Sequence, residues 1–307
     1  MTTQYCFDVI IVGGSYSGLS AAMALGRSLR KVLIIDSGQP CNRQTPYSHN
    51  FITQDGMPPA EIAEKAKAQV LQYDSIQFTE DRVVSGHNVE NNFLITTSLG
   101  KEYQAKKLIF ATGVKDLMPN IKGFAECWGI SVIYCPYCHG YEFKHKKTAI
   151  MASSEHGYHL ASLVHNLTDH LTLLTSGKND YSVEQMEALA HNSIQIIETP
   201  VDKIQHKDGH IEQVIFKDGS SIELDALYAG IPFEQHCDVA TTLGCELDEM
   251  GYLNVDPFQK TTVNGIYACG DSTTRLRAVA TAVNSGLVAG AMVNKELAEE
   301  QFLISVI

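Results

Sequence analysis

The chain predicts an α/β fold of two Rossmann-like three-layer domains joined by a hinge, the first of them discontinuous. Three observations carry that expectation. An apolar strand runs into a glycine turn and a helix near the amino terminus, a second β-α-β pattern begins near residue 147, and cofactor-type turn sequence returns near residue 270. A length of 307 residues is large for one hydrophobic core and suits two domains of ordinary size.

The first module opens at Phe7. Asp8-Val9-Ile10-Ile11-Val12 is the apolar run that a strand buried on both faces requires, and Gly13-Gly14-Ser15-Tyr16-Ser17-Gly18 follows it, then the helical Leu19 to Leu25. Strand, glycine turn and helix make the context of a dinucleotide fingerprint, in which Gly13, Ser15 and Gly18 bring backbone close to a pyrophosphate; Ser15 stands where the middle glycine is usual. Lys31 to Ile35 gives a second strand, and Asp36 at its end has the spacing of a ribose-hydroxyl acceptor.

The polar loop from Pro40 to Phe51 suits wrapping a bulky cofactor, with Asn42, His49 and Asn50 as candidate contacts or, alternatively, local backbone caps; Cys41 has no evident partner. A helix starts at Pro58-Pro59 and continues to about Gln72. Short strands are expected around 77–78, 82–84, 93–97 and 107–110. The last ends in Ala111-Thr112-Gly113, where Thr112 and Gly113 let a cofactor approach the backbone.

Cys135-Pro136-Tyr137-Cys138-His139-Gly140 is the chemical centre of the chain. Two thiols at this spacing close and reopen a small disulfide ring, and amides at a helix start would favour thiolate. The spacing also fits half a zinc site or an inert pair, but Cys127 is the nearest upstream cysteine and Cys237 the next downstream, so no metal site is expected.

The second module runs from the strand Lys147 to Ala152 through a helix from Tyr158 to about Leu167 to the strand Leu171 to Leu174. Its turn, Ser153-Ser154-Glu155-His156-Gly157, holds one glycine and an acid where a pyrophosphate tolerates neither bulk nor negative charge. Lys178 is the lone cation beyond the following strand, and no arginine lies between Arg82 and Arg275. A helix from Ser182 to Ala190 and strands at 194–197 and 214–216 flank the turns Asp208-Gly209 and Asp218-Gly219, and Ala226 to Pro232 parallels Ile109 to Val114. Finally Ile266-Tyr267-Ala268-Cys269-Gly270-Asp271 runs into a turn whose Gly270 and Asp271 suit a cofactor, or an N-cap, ahead of a helix from about Arg277 to Glu300; Cys269 reads as packing.

Together, Gly13 to Gly18, Asp36, Ala111 to Gly113, Cys135 to Cys138 and Cys269 to Asp271 resemble the low-molecular-weight thioredoxin reductase family of flavin disulfide oxidoreductases. The resemblance implies an FAD-binding domain at 1–116 and 242–307, interrupted at 117–241 by a pyridine-nucleotide-like domain carrying the dithiol. It makes Cys138 the thiol that faces the flavin and Cys135 the one that exchanges with substrate, and it implies a homodimer. At the last helix the family's usual Arg-Gln pair is Arg277-Ala278 here, and an aspartate that usually follows the second cysteine is His139, a base suited to neutral pH. These departures and the altered second turn are closer to atypical branches that dispense with NADPH; the alternatives are a conventional NADPH-dependent thioredoxin reductase and a non-catalytic flavin-binding protein. The expected partner is a thioredoxin-like protein or small dithiol or disulfide, with ferredoxin, another electron carrier or oxygen at the other end.

A net charge of -12 argues against nucleic acid or an anionic membrane as partner. Eight dilute cysteines with one close pair, and no leader or membrane-spanning pattern, point to the cytoplasm.

Overall fold

The computed structural model describes residues 6–304; residues 1–5, which precede the first predicted strand, and 305–307 lie outside the described residues. Met1–Arg43, Pro59–Lys115 and Phe233–Ile307 form one compact unit, and Gln44–Pro58 with Asp116–Pro232 form the other. The boundaries expected at 116/117 and 241/242 therefore fall at 115/116 and 232/233. Packing explains the second shift, because Phe233–Gln235 pairs with Val114–Asp116 while Val239 and Ala240 enter the core that holds Val83 and Ile95. The loop 44–58, expected with the first domain, belongs to the second unit.

In the first unit, the strands run in the order Ile76–Glu80, Val32–Asp36, Cys6–Val12, Glu102–Phe110, Asn92–Thr97 and Val83–Val89. Glu102–Phe110 is the pivot. Its residues 102–105 pair antiparallel with 93–96, while residues 108–110 pair parallel with Ile266–Ala268. Ile10 and Ile11 are fully buried on opposite faces of Cys6–Val12, as a strand covered on both sides demands.

The helix Tyr16–Arg27 covers one face and the long helix Val279–Ile304 packs across it. Gly286 and Gly290 make that crossing close, since a Cβ at either would strike the backbone of Ser17 or Ala21. Ser20 Oγ donates to the Val283 carbonyl at 2.7 Å and Arg30 Nε to Asn294 Oδ1 at 2.7 Å, fixing the register. No helix among the described residues is long and apolar enough to cross a membrane.

Lys107 and Asp81 are the buried charged side chains among the described residues of this unit, and Lys107 is the one that ties strand to helix. Lys107 Nζ reaches inward from the pivot strand to Glu296 and, at 2.6 Å, to Glu300 on the long helix, and Tyr267 Oη also donates to Glu296 at 2.6 Å. Burial pushes the Glu296 carboxyl up, but hydrogen bonds from Lys107 and Tyr267 outweigh it and hold the group at about 2 rather than 4.5. The stabilisation is complete above the unfolded value and is lost as pH falls from 4.5 through about 2. Lys107→Met is expected to cost about 3 kcal/mol in urea unfolding at neutral pH and to flatten that acid limb. Equal urea midpoints for variant and wild type would remove the cluster from the account of stability.

In the second unit, a parallel sheet has the order Gln195–Ile197, Leu171–Leu174, Thr148–Met151, Ala226–Ala229 and Val132–Ile133. The two principal sheets are thus both Rossmann-like, and Ala226–Ala229 flanks Thr148–Met151 as Glu102–Phe110 flanks Cys6–Val12. The helix expected from Tyr158 starts earlier, spanning Ser154–Val164. Val201–Lys207, His210–Phe216 and Ser221–Glu223 add an antiparallel sheet, whose first turn uses Asp208 and Gly209 at positive φ.

Candidate active site

The first unit builds a cradle at the end of its central strand. Gly13 has φ +104, and a Cβ there would collide with the Ala111 carbonyl, so only glycine lets the two turns close on each other. Ser15 is the N-cap residue of the helix Tyr16–Arg27, yet its side chain makes no capping hydrogen bond. The helix amino terminus thereby presents amides and positive dipole at the strand end, which suits a phosphate. Asp36 Oδ1 accepts from Gly14 N at 3.0 Å, and its Oδ2 accepts from Gly38 N at 3.3 Å, tying the second strand to the glycine turn.

Across the cradle, Thr112 Oγ1 is buried without a hydrogen-bond partner, while Gly113 at φ +64 faces open space. An orphaned hydroxyl beside open backbone is what a bound cofactor would satisfy. Asn42 Nδ2 donates to Tyr16 Oη at 3.4 Å, and Gly270 N donates to Ser285 Oγ at 3.0 Å. Arg277 Nε lies 3.8 Å from Asp271 Oδ2, and Ala278 precedes the long helix, its carbonyl accepting from Ala282 N. Cys41 corrects an expectation: its thiol is not alone but donates to Asp271 Oδ2 at 3.7 Å. Cys269 is fully buried, which drives its thiol up to about 12. Gly13, Ser15, Gly18, Asp36, Asn42, Thr112, Gly113, Gly270, Asp271, Arg277 and Ala278 all lie in this unit.

His49 and Asn50 do not. They sit in the other unit, where the Asn50 amide donates to Asp55 Oδ1 at 2.7 Å and His49 lies beside Glu142.

The dithiol belongs to that second unit and is present as two half-buried thiols. Cys135 is the extended N-cap of a single helical turn, Pro136–His139, with Pro136 at its first position. A hydrogen bond from the Cys138 thiol, then amides of Cys138 and Tyr137, outweigh burial and hold Cys135 at about 7 instead of 9.0. A thiol held there is in large part thiolate at neutral pH, the form that attacks disulfides. Alkylation of the reduced protein by iodoacetamide is expected to rise with a midpoint near 7, and Cys138→Ala to shift it upward by removing the main stabilising contact. A midpoint unmoved by that substitution would refute the assignment.

Three residues the sequence reading passed over complete the surroundings. Tyr47 makes a backbone hydrogen bond to the His139 ring. His139 Nε2 is buried without a partner, so this bond falls to Nδ1 and leaves the Nε2 lone pair free. Burial, then the charge of His49, lowers His139 below the ordinary histidine value, so the ring stays neutral at pH 7. Tyr228, 1% exposed, packs its hydroxyl beneath Gly140; burial first, then the charges of Cys135 and Glu142, raise it above the ordinary phenol. Only Glu142 had a local signal, an acid three residues after a histidine.

At the turn after Thr148–Met151, exposed and partly exposed side chains of the protein bond one another. Ser154 adopts φ +55 and donates to Asp180 Oδ2 at 2.8 Å, and Gln185 Nε2 donates to Glu155 Oε1 at 2.6 Å. Asn179 gives both its amide and its side chain to Glu198 Oε1, at 2.9 and 2.7 Å. Among the described residues, no group of three or more His, Cys, Asp or Glu side chains is gathered to hold a metal.

Residues 7–286 match the family model for pyridine nucleotide-disulphide oxidoreductase. Thioredoxin reductase tcpT of Claviceps purpurea is 34% identical over 310 residues, covering 97% of this chain and 96% of its own. Among solved structures, an oxidoreductase from Agrobacterium tumefaciens superposes with a TM-score of 0.89 at 36% identity, covering 95% of this chain and 98% of that one. A putative thioredoxin reductase TrxB from Bacillus anthracis gives 0.91 at 30% identity, with 96% and 99% covered.

Proposed function

The chain belongs to the pyridine nucleotide-disulphide oxidoreductase family and is a thioredoxin-reductase-like, FAD-dependent thiol/disulfide oxidoreductase, and from that premise we propose that Cys135 and Cys138 exchange electron pairs with a substrate dithiol or disulfide, with NADPH used only inefficiently. The observation that carries this reading is the pairing of a Cys135 thiol held at about 7 with a second-unit turn that presents the carboxylates of Asp180 and Glu155. FAD, held by the Gly13 turn, Thr112, Gly113, Gly270 and Asp271, supplies a two-electron donor or acceptor when bound. The orphaned Thr112 hydroxyl and the open face of Gly113 fit it.

In the reducing direction, the Cys135 thiolate attacks a substrate disulfide, forming a mixed disulfide and releasing one substrate thiol. Cys138 then attacks the Cys135 sulfur, frees the second substrate thiol and closes the Cys135–Cys138 disulfide. The Cys138 proton goes to His139 Nε2, which neighbours it in sequence and carries a free lone pair. In the oxidising direction, the same transfers run backwards. The partner is a thioredoxin-like protein or a small dithiol; ferredoxin, another carrier or oxygen serves at the other end, in a cytoplasmic homodimer.

Anaerobic addition of a dithiol to the purified yellow protein is expected to bleach its flavin. His139→Ala is expected to slow that bleaching about 100-fold in rapid mixing at pH 7, with FAD content unchanged. Because the ring titrates below the ordinary histidine value, the wild-type rate holds through neutrality and falls only as acid protonates Nε2. An identical rate and pH profile in the variant would take His139 out of the reaction.

A further inference from the structure

The loop Gln44–Pro58 meets the His139 ring at two places. Tyr47 supplies the backbone bond to Nδ1, and His49 contacts the ring edge to face, with centroids 6.3 Å apart and planes at 88°. His49 is braced in turn from both sides. Its Nδ1 lies 3.7 Å from Asp55 Oδ1, in its own loop, and its Nε2 lies 3.5 Å from Glu142 Oε1, in the turn that continues the dithiol helix. These separations are electrostatic contacts rather than close hydrogen bonds, and the 81%-buried His49 side chain keeps its ring between the two carboxylates and His139.

We propose that His49 is a positioning residue for the dithiol's histidine: held by Glu142 and Asp55, it sets the protonation state of His139 by placing its own charge against that ring. The inference rests on the reading of His139 as the dithiol's base. The groups acting on His139 are His49 and the Tyr47 carbonyl from the loop and Glu142 from its own segment; Glu142 in turn acts on the Tyr228 hydroxyl of the strand Ala226–Ala229, as does Cys135. A positive His49 opposes a second positive charge on His139, whereas Glu142 favours it. The two partners therefore act with opposite sign.

Carbon-labelled histidine in the reduced protein, followed by NMR titration and assigned with His139→Asn, reads the ring directly and independently of turnover. His49→Gln is expected to move the His139 midpoint up by about half a unit to one unit, and Glu142→Gln to move it down by about as much. Loosening of the loop alone would weaken the Tyr47 bond and lower the midpoint in His49→Gln, the reverse of the expected sign. Shifts in one common direction, or none in either variant, overturn the inference. If the midpoints move as stated while the acid limb of flavin bleaching does not follow them, the role of His49 stands and His139 as base falls.

Discussion

Anaerobic mixing of the flavin-loaded protein with micromolar NADPH or NADH is expected to leave the flavin oxidised, while a dithiol bleaches it within the same mixing experiment. The cause lies in the second-unit turn. A pyrophosphate there would meet Glu155 and Asp180, already bonded to Gln185 and Ser154, in place of open amides. Beyond the strand Leu171–Leu174, the exposed Lys178 is the one local cation, and it lies in the field of Glu198. Each missing charge-assisted contact to phosphate costs about 1.5 to 3 kcal/mol, or more than tenfold in affinity, so two missing contacts weaken binding by about 100-fold or more before carboxylate repulsion is counted. Rapid, saturable bleaching by micromolar NADPH would show that the turn still serves a nicotinamide nucleotide.

Cys138→Ser is expected to stop turnover, by about 1,000-fold or more, while leaving a covalent record. With the resolving thiol gone, Cys135 still attacks a substrate disulfide, and the mixed disulfide persists at one substrate per chain, visible as added mass that dithiothreitol removes. Cys135→Ser loses the attacking sulfur and should show no adduct. The double variant should be no worse than either single one, because the two thiols act as a unit. Adduct on Cys138 in the Cys135→Ser protein would invert the assigned roles.

The first module was readable because its signals are local. An apolar strand, a glycine turn and a terminal acid fall within Phe7 to Asp36, and each is dictated by burial or by close backbone approach. Val201–Lys207 was missed for the opposite reason: with only Val201 and Ile204 buried, its sequence offers no apolar run and a broken alternation. The site divides the same way. Cys135, Cys138 and His139 announce themselves by spacing, but the Cys41–Asp271 contact joins residues 230 apart, and the placement of His49 beside Glu142 depends on a loop packing with the second unit. No period or motif encodes such pairings. The turn at Ser154 shows how sequence and structure complement each other, for composition flagged the acid, and only coordinates identify Asp180 and Gln185 as its occupants.

The crossing of Val279–Ile304 over Tyr16–Arg27 also fixes an order of events during synthesis. Gly286 and Gly290 touch backbone that left the ribosome more than 260 residues earlier, so the first unit cannot close its core until nearly the whole chain has emerged. The second unit has all its residues by Pro232 and can be native while the first still waits. The thiols can therefore fold before their electron partner has a place to bind, and a nascent chain halted between 232 and 279 would then carry Cys135 with no flavin to answer it.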